Sequence, residues 1–187
     1  MTARQSGFSL LELLVVLFVV VVITSMVTLA VNTGNEDRKL SAEVANLADV
    51  ANFALDEAQL SGRDYGLLLR RDFQDGQTAV SYSWRERRPE GWLSPDIAAD
   101  VFEARQFDAG IDVILELEDL SAPPLAGDDE QRDETPQVIF YSSGETTPGS
   151  LVWTDARSGR VLWRADWDLL GRFDLLPGGV PLDEDGD

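Results

Sequence analysis

Apolar and polar residues follow three successive rhythms along the chain. From Leu13 to Val31, nineteen residues pass without a charge. As a helix that run measures about 28 Å at 1.5 Å per residue, close to the roughly 30 Å of a bilayer's hydrocarbon layer. In lipid the backbone must satisfy itself, and Thr24, Ser25 and Thr28 can bond back to carbonyls or across to a neighbouring helix. Next, Leu40, Val44, Leu47, Ala51, Ala54 and Ala58 recur alternately four and three apart, opposite a polar stripe of Asp49, Asn52, Asp56 and Gln59. That period predicts an amphipathic helix, with Gly62 as its stop. No proline precedes Pro89, so one helix from about Phe8 to Ser61 is expected. Asn32-Thr33-Gly34-Asn35 marks a place for it to bend or locally unwind.

From Tyr65 the period changes to two. Val80, Tyr82 and Trp84 alternate with Ser81 and Ser83, and Ile111, Val113, Leu115 and Leu117 with Asp112, Ile114, Glu116 and Glu118. Val138–Tyr141 is a short apolar run, Leu151–Thr154 and Arg160–Arg164 flank a hairpin loop at Asp155–Gly159, and Arg172–Leu176 makes a last strand. Short strands with polar loops indicate antiparallel pairing. The five tryptophans, Trp84, Trp92, Trp153, Trp163 and Trp167, all lie here; those alternating within strands suit a core of large planar side chains. The expected organisation is a leader at 1–7, an apolar half-helix at 8–31, an amphipathic half at 32–62, and a β domain at 63–187. Its acidic loop runs from Pro123 to Thr135 and its acidic tail from Gly178 to Asp187.

The head of the apolar run is unusual. Gly7-Phe8-Ser9-Leu10-Leu11-Glu12 places a carboxylate at the edge of a segment fit for hydrocarbon, where an acid costs on the order of 2.5–3.5 kcal/mol. A cleaved secretory signal with its cut after Thr28-Leu29-Ala30 would have a basic start and a core of roughly 7–15 residues, whereas Arg4 is the only charge of the leader. A plain anchor leaves Glu12 without a task. A prepilin accounts for all six residues, with a cut after Gly7, a new N-terminus at Phe8, and Glu12 one turn onward. The hexapeptide resembles the class III signal of type IV pilins and type II secretion pseudopilins, G then F-[ST]-L-x-E. That resemblance implies N-methylation of Phe8 and an assembly role for Glu12.

Composition narrows the chemistry. Thirty-four acids against fifteen bases give a net charge of -19, which opposes nucleic acid, whose binding rewards cationic surfaces, and peripheral docking on anionic lipid. Neither His nor Cys occurs, which removes the commonest transition-metal ligands and every Ser-His or Cys-His pair. Asp128, Asp129 and Glu130, or the acids of the tail, could supply oxygen ligands to Ca2+, but neither stretch has the spacing of an EF-hand. No catalytic residue, metal site or cofactor is expected. A membrane-tethered periplasmic hydrolase, resting on an acid such as Glu145, is the alternative of another class.

Later segments sharpen the resemblance. Gly62-Arg63-Asp64-Tyr65-Gly66-Leu67 is similar to the G-x-x-x-G-L stretch of the minor pseudopilin H group. Arg105–Ile111 resembles that group's R-x-[FL]-P-x-G, with Asp108 in place of proline. Ser142-Ser143-Gly144-Glu145-Thr146-Thr147-Pro148 resembles its S-S-G-E-x-T-P, and Leu169-Leu170-Gly171-Arg172-Phe173 its closing strand. The group implies an α+β, type IV pilin-like fold, with a long N-terminal helix packed on an antiparallel β-sandwich. It implies a single-pass inner-membrane protein with its C-terminal domain in the periplasm, without nucleic acid. Implied partners are the other minor pseudopilins, the major pseudopilin, prepilin peptidase and the inner-membrane assembly platform. The implied function is a structural subunit of the type II secretion pseudopilus; a minor pilin of a type IV pilus is the alternative.

Overall fold

The computed structural model describes residues 10–74, 77–118 and 135–180. The chain divides into two units, Met1–Lys39 and Leu40–Asp187, and one helix, α1 (Leu10–Ser61), contributes to both. In the first unit the large apolar side chains from Leu10 to Ile23 are all exposed, from 42% at Val22 to 85% at Leu10. The Thr24 hydroxyl donates to Val20 O at 2.6 Å and Val21 O at 3.1 Å, the back-bonding that its place in the run suggests. Among the described residues no helix is long and apolar enough to cross a membrane. Side chains are described from Leu10 to Thr24 and again from Asp37, and the first of these stretches spans about 22 Å of helix. Across Asn32-Thr33-Gly34-Asn35 α1 remains helical, so the expected unwinding is not found. One internal glycine costs only about 1 kcal/mol relative to alanine, a penalty that a helix 52 residues long absorbs.

The second unit is built on the amphipathic part of α1. Leu40, Val44, Leu47, Ala51, Ala54, Leu55 and Ala58 are all buried, and each large one contributes roughly 1.5–3 kcal/mol through burial. The helix ends where Gly62 takes φ +68 and its N–H bonds to Ala58 O at 2.9 Å, a left-handed cap that favours glycine.

Two antiparallel sheets complete the unit. The first comprises β1 (Tyr65–Gln74), β2 (Gln77–Arg88), β3 (Gly91–Leu93), β4 (Arg105–Gln106) and β6 (Val138–Phe140), in the order β3-β2-β1-β6 with β4 also on β2. The second comprises β5 (Ile111–Leu117), β7 (Gly149–Asp155), β8 (Val161–Trp167) and β9 (Phe173–Pro177), in the order β5-β7-β8-β9. Their inward faces, Tyr65, Leu67, Leu69, Tyr82 and Trp84 from one and Val113, Leu115, Leu151 and Trp153 from the other, join the helix stripe in one core. Trp84, Trp92, Trp153 and Trp167 are buried, while Trp163 is only partly so.

Two core aromatics come from irregular segments. Phe102 packs at 5.4 Å from Tyr65 and 5.8 Å from Trp84, and Phe107 meets Trp153 edge-on at 5.9 Å. Beside them, Gly66 is pressed against the loop that enters β6. A Cβ there would fall 2.2 Å from Pro136 Cγ, so this position in β1 admits no side chain without displacement. The acidic loop and tail expected from the sequence fall almost wholly outside the described residues.

Candidate functional site

Gly7 and Phe8 lie outside the described residues. Glu12 stands in the first turn of α1, where a carboxylate meets the positive end of the helix dipole. It is surrounded along the chain by exposed leucines and valines that form no core within their own unit.

In the second unit three polar connections fix the helix and sheets. At the start, Tyr82 Oη donates to Glu43 Oε1 at 2.5 Å and Arg105 Nη1 to Glu43 Oε2 at 3.2 Å, tying α1 to β2 and β4. Burial, then the bond and charge of Glu43, push the Tyr82 phenol well above its ordinary value. At the far end, Glu86 is only 2% exposed, yet carries two guanidiniums, Arg63 Nη1 at 2.5 Å and Arg88 Nη2 at 2.7 Å. Burial alone would raise its carboxyl. The hydrogen bonds and charges of Arg88 and Arg63 outweigh that and hold it below the ordinary carboxylate range. Between the sheets, Arg71 Nη2 donates to Asp112 Oδ1 at 2.7 Å and Val113 O at 3.0 Å.

The Ser142–Pro148 segment is a clasp between these parts. Asp64 Oδ1, just past the helix, accepts from Ser142 N at 2.9 Å and Ser142 Oγ at 3.0 Å. The buried Thr146 reaches the other way: its N–H donates to Leu169 O at 2.8 Å and its Oγ1 to Asp168 O at 2.7 Å. Thr147 N and Oγ1 pair with Ile139 of β6, and Thr147 O accepts from Trp167 Nε1 at 2.6 Å. The hydroxyls of Ser142, Thr146 and Thr147 each add a side-chain bond to a backbone bond made by the same residue. Glu145 is exposed, and its backbone carbonyl accepts from Tyr141 N at 2.8 Å.

Leu169 and Leu170 do not belong to the closing strand, which starts at Phe173. They occupy a turn that Asp168 organises. Its Oδ1 accepts from Leu170 N and Arg172 N, each at 3.0 Å, and its Oδ2 from Arg172 Nε at 2.7 Å. Those bonds, with Arg172's guanidinium foremost, hold the Asp168 carboxyl below its usual value. Beside the turn opens a cleft of about 660 Å³ with Glu116, Glu118, Asp166, Asp168 and Asp174 on its walls. Two arginines share it, and both are already engaged, Arg164 with Asp166 at 2.7 Å and Arg172 with Asp168. Among the described residues no cluster of acids has the makings of a metal site, and the acids considered for Ca2+ lie outside them.

The model for the family described as type II transport protein GspH matches residues 43–170, and that for the prokaryotic N-terminal methylation motif matches residues 2–30. The chain belongs to the GspH family. It is 31% identical to type II secretion system protein H of Pseudomonas aeruginosa over 147 residues, covering 78% of this chain and 80% of that one. The protein of the same name from Escherichia coli is 28% identical, with 85% and 86% covered. Among solved structures, the minor pseudopilin EpsH from the type II secretion system of Vibrio cholerae superposes with a TM-score of 0.55 at 23% identity, covering 77% of this chain and 96% of that chain. The solution structure of E. coli GspH gives 0.51 at 19% identity, covering 76% and 90%; at such identities the likeness concerns the fold. The pilin-like α+β architecture expected of a GspH-type minor pseudopilin is therefore the one observed. The Ser142–Pro148 clasp lies inside the matched region, as does the helix stripe from Val44 onward.

Proposed function

We propose that this GspH-family chain is a minor pseudopilin of a type II secretion system, a structural subunit of the periplasmic pseudopilus that helps folded proteins cross the outer membrane. The carrying observation is the pairing, in one chain, of a methylation motif over residues 2–30 with the GspH match over 43–170. On this reading prepilin peptidase cuts after Gly7, Phe8 is methylated, and the apolar run from Leu13 to Val31 holds the chain in the inner membrane with the β domain in the periplasm. The exposed apolar side chains of Leu10–Ile23 support that anchoring, since they find no cover within their own unit. Partners are the other pseudopilins and the inner-membrane machinery that assembles them, and no catalytic step is assigned to any residue.

Deleting the gene tests the assignment. The expected result is accumulation of exported enzymes in the periplasm with twitching and transformation intact. The reverse pattern would place the chain in a type IV pilus. Mass spectrometry of the membrane-extracted protein should find methylated Phe8 at the N-terminus; a start after Ala30 would remove the prepilin reading.

A further inference from the structure

Turns at sheet ends are ordinarily polar, yet the turn between β8 and β9 displays Leu169 and Leu170 at 50% and 58% exposure. The display is rigid. Asp168 binds the turn from below through Leu170 N, Arg172 N and Arg172 Nε, Gly171 N bonds to Asp168 O at 3.0 Å, and the buried Thr146 holds the carbonyls of Asp168 and Leu169. Apolar side chains held in place before contact lose little freedom on binding, which is what makes an anchor effective.

The charge beside the anchor is predominantly acidic. Asp168 and Arg172, on either side of the leucines, line the acidic cleft, whose five carboxylates outnumber its two arginines. Asp174 stands directly opposite Asp166 in the β8–β9 pairing. Like charges facing across strands are destabilising, and the Arg164 guanidinium that answers Asp166 is itself shared with Glu116 at 3.2 Å. Asp174 feels the charge of Arg172, which is itself bonded to Asp168, so a further cation from outside would meet a carboxylate excess there.

We infer that the Leu169–Leu170 turn and the adjoining acidic cleft form a docking surface for another subunit of the assembly, one presenting an apolar pocket bordered by lysine or arginine. This rests on the reading of the chain as a pseudopilus subunit and adds the surface and the partner's chemistry. A second copy is a poor occupant, because a chain of net charge -19 would bring acid against acid, and an anionic lipid surface is repelled for the same reason.

The test uses the full chain in cells with an intact secretion system, carrying a photoreactive amino acid in place of Leu170. Irradiation should give one discrete adduct with another subunit, and the linked peptide should lie at an apolar site with basic neighbours. Asp174→Lys, which removes the carboxylate pair facing across β8 and β9, should leave thermal unfolding unchanged or raised while lowering adduct yield about tenfold, the scale of a hot-spot loss. Leu169→Ser with the same probe should lower it similarly. Adducts with lipid or a second copy, absence of any adduct, or a yield indifferent to both substitutions would overturn the inference. If gene deletion blocks export while these variants cross-link and export normally, the docking surface fails and the functional reading stands; if deletion leaves export intact, it is the functional reading that fails.

Discussion

The same helix carries apolar residues in two different ways. From Leu10 to Ile23 they cover the whole circumference and every one is exposed. From Leu40 to Ala58 they form a stripe whose members, Leu40, Val44, Leu47, Ala51, Ala54, Leu55 and Ala58, are buried to 8% exposure or less, while Phe53 off the stripe is 37% exposed. A helix apolar all round needs apolar surroundings on every side, whereas a striped helix needs one partner face. The β domain supplies that face for the second part; among the described residues of its own unit the first part finds none. On the proposed reading that cover comes from a bilayer or from neighbouring helices, and the β domain keeps a core of its own.

Substitution should expose that asymmetry most sharply in the stripe. Val44→Asp would bury an unpaired carboxylate at a position of zero exposure, and should cost more than about 4 kcal/mol. The domain should then be unfolded or insoluble by circular dichroism. Leu14→Ala, in the exposed part, should leave the domain's melting temperature within the effect of about 0.5 kcal/mol typical of surface changes. Equal destabilisation by the two would mean that the helix behaves as one body with one core.

A smaller effect is expected at Glu86, the buried charge that fixes the helix's end. Its folded-state value lies below the ordinary one, so it contributes stability that is present above the unfolded carboxyl's value of about 4.3. That contribution falls away as pH drops through the lowered folded value, because the unfolded chain takes up the proton first. Glu86→Gln should reduce stability at pH 7 by about 1.5–3 kcal/mol, the range for hydrogen bonds to charged groups. Denaturant titrations should also show a flatter loss below pH 4–5 than in the parent. A parallel pH profile would assign the acid sensitivity to other carboxylates.

The Glu43–Tyr82 bond should matter less still. Tyr82→Phe keeps the buried ring, and Arg105 continues to answer Glu43. A cost of about 1–2 kcal/mol is expected, measured as a shift in urea midpoint at unchanged slope. A changed slope would mean instead that the seat of α1 on β2 had loosened.

Much of this was legible in residue order because burial follows period. The stripe at three-four spacing and the alternation in β2 and β5 each reported one covered face. The same alternation, continued from Val80, Tyr82 and Trp84, lands on Glu86; a charged residue at the next inward position is the signal that a buried ion network was present. Phe102 and Phe107 left no such trace, since they enter the core from irregular segments without a repeat. The pattern of residues begins the last strand at Arg172, and only the resemblance joins Leu169 and Leu170 to it; the hydrogen bonds drawn to Asp168 turn the chain there. The glycines of the G-x-x-x-G-L stretch could be matched but not explained until Gly62 was seen as a left-handed cap and Gly66 against Pro136. The hexapeptide at Gly7–Glu12 is the opposite case: its residue types carry the reading, and half of it lies outside the described residues.

On the scale of domain stability the smallest effect belongs to Glu12, and there the two regions separate most cleanly. A cut after Gly7 would create an α-amino group on Phe8, positively charged near neutral pH given an ordinary value of about 7.7–8.0. In a bundle of apolar helices that charge needs a counter-charge, since one left unpaired is expensive. Glu12 is one turn away along its own helix and can serve its own Phe8 or that of a staggered neighbour. Glu12→Gln preserves size and hydrogen bonding while removing the charge. The β domain, with its own core, should unfold at the same temperature, and the chain should still be inserted and processed. Incorporation into the pseudopilus, followed by cross-linking to neighbouring subunits, should fall, and export with it. Undiminished cross-linking with intact export would show that this carboxylate sets the depth of the helix rather than the register of assembly.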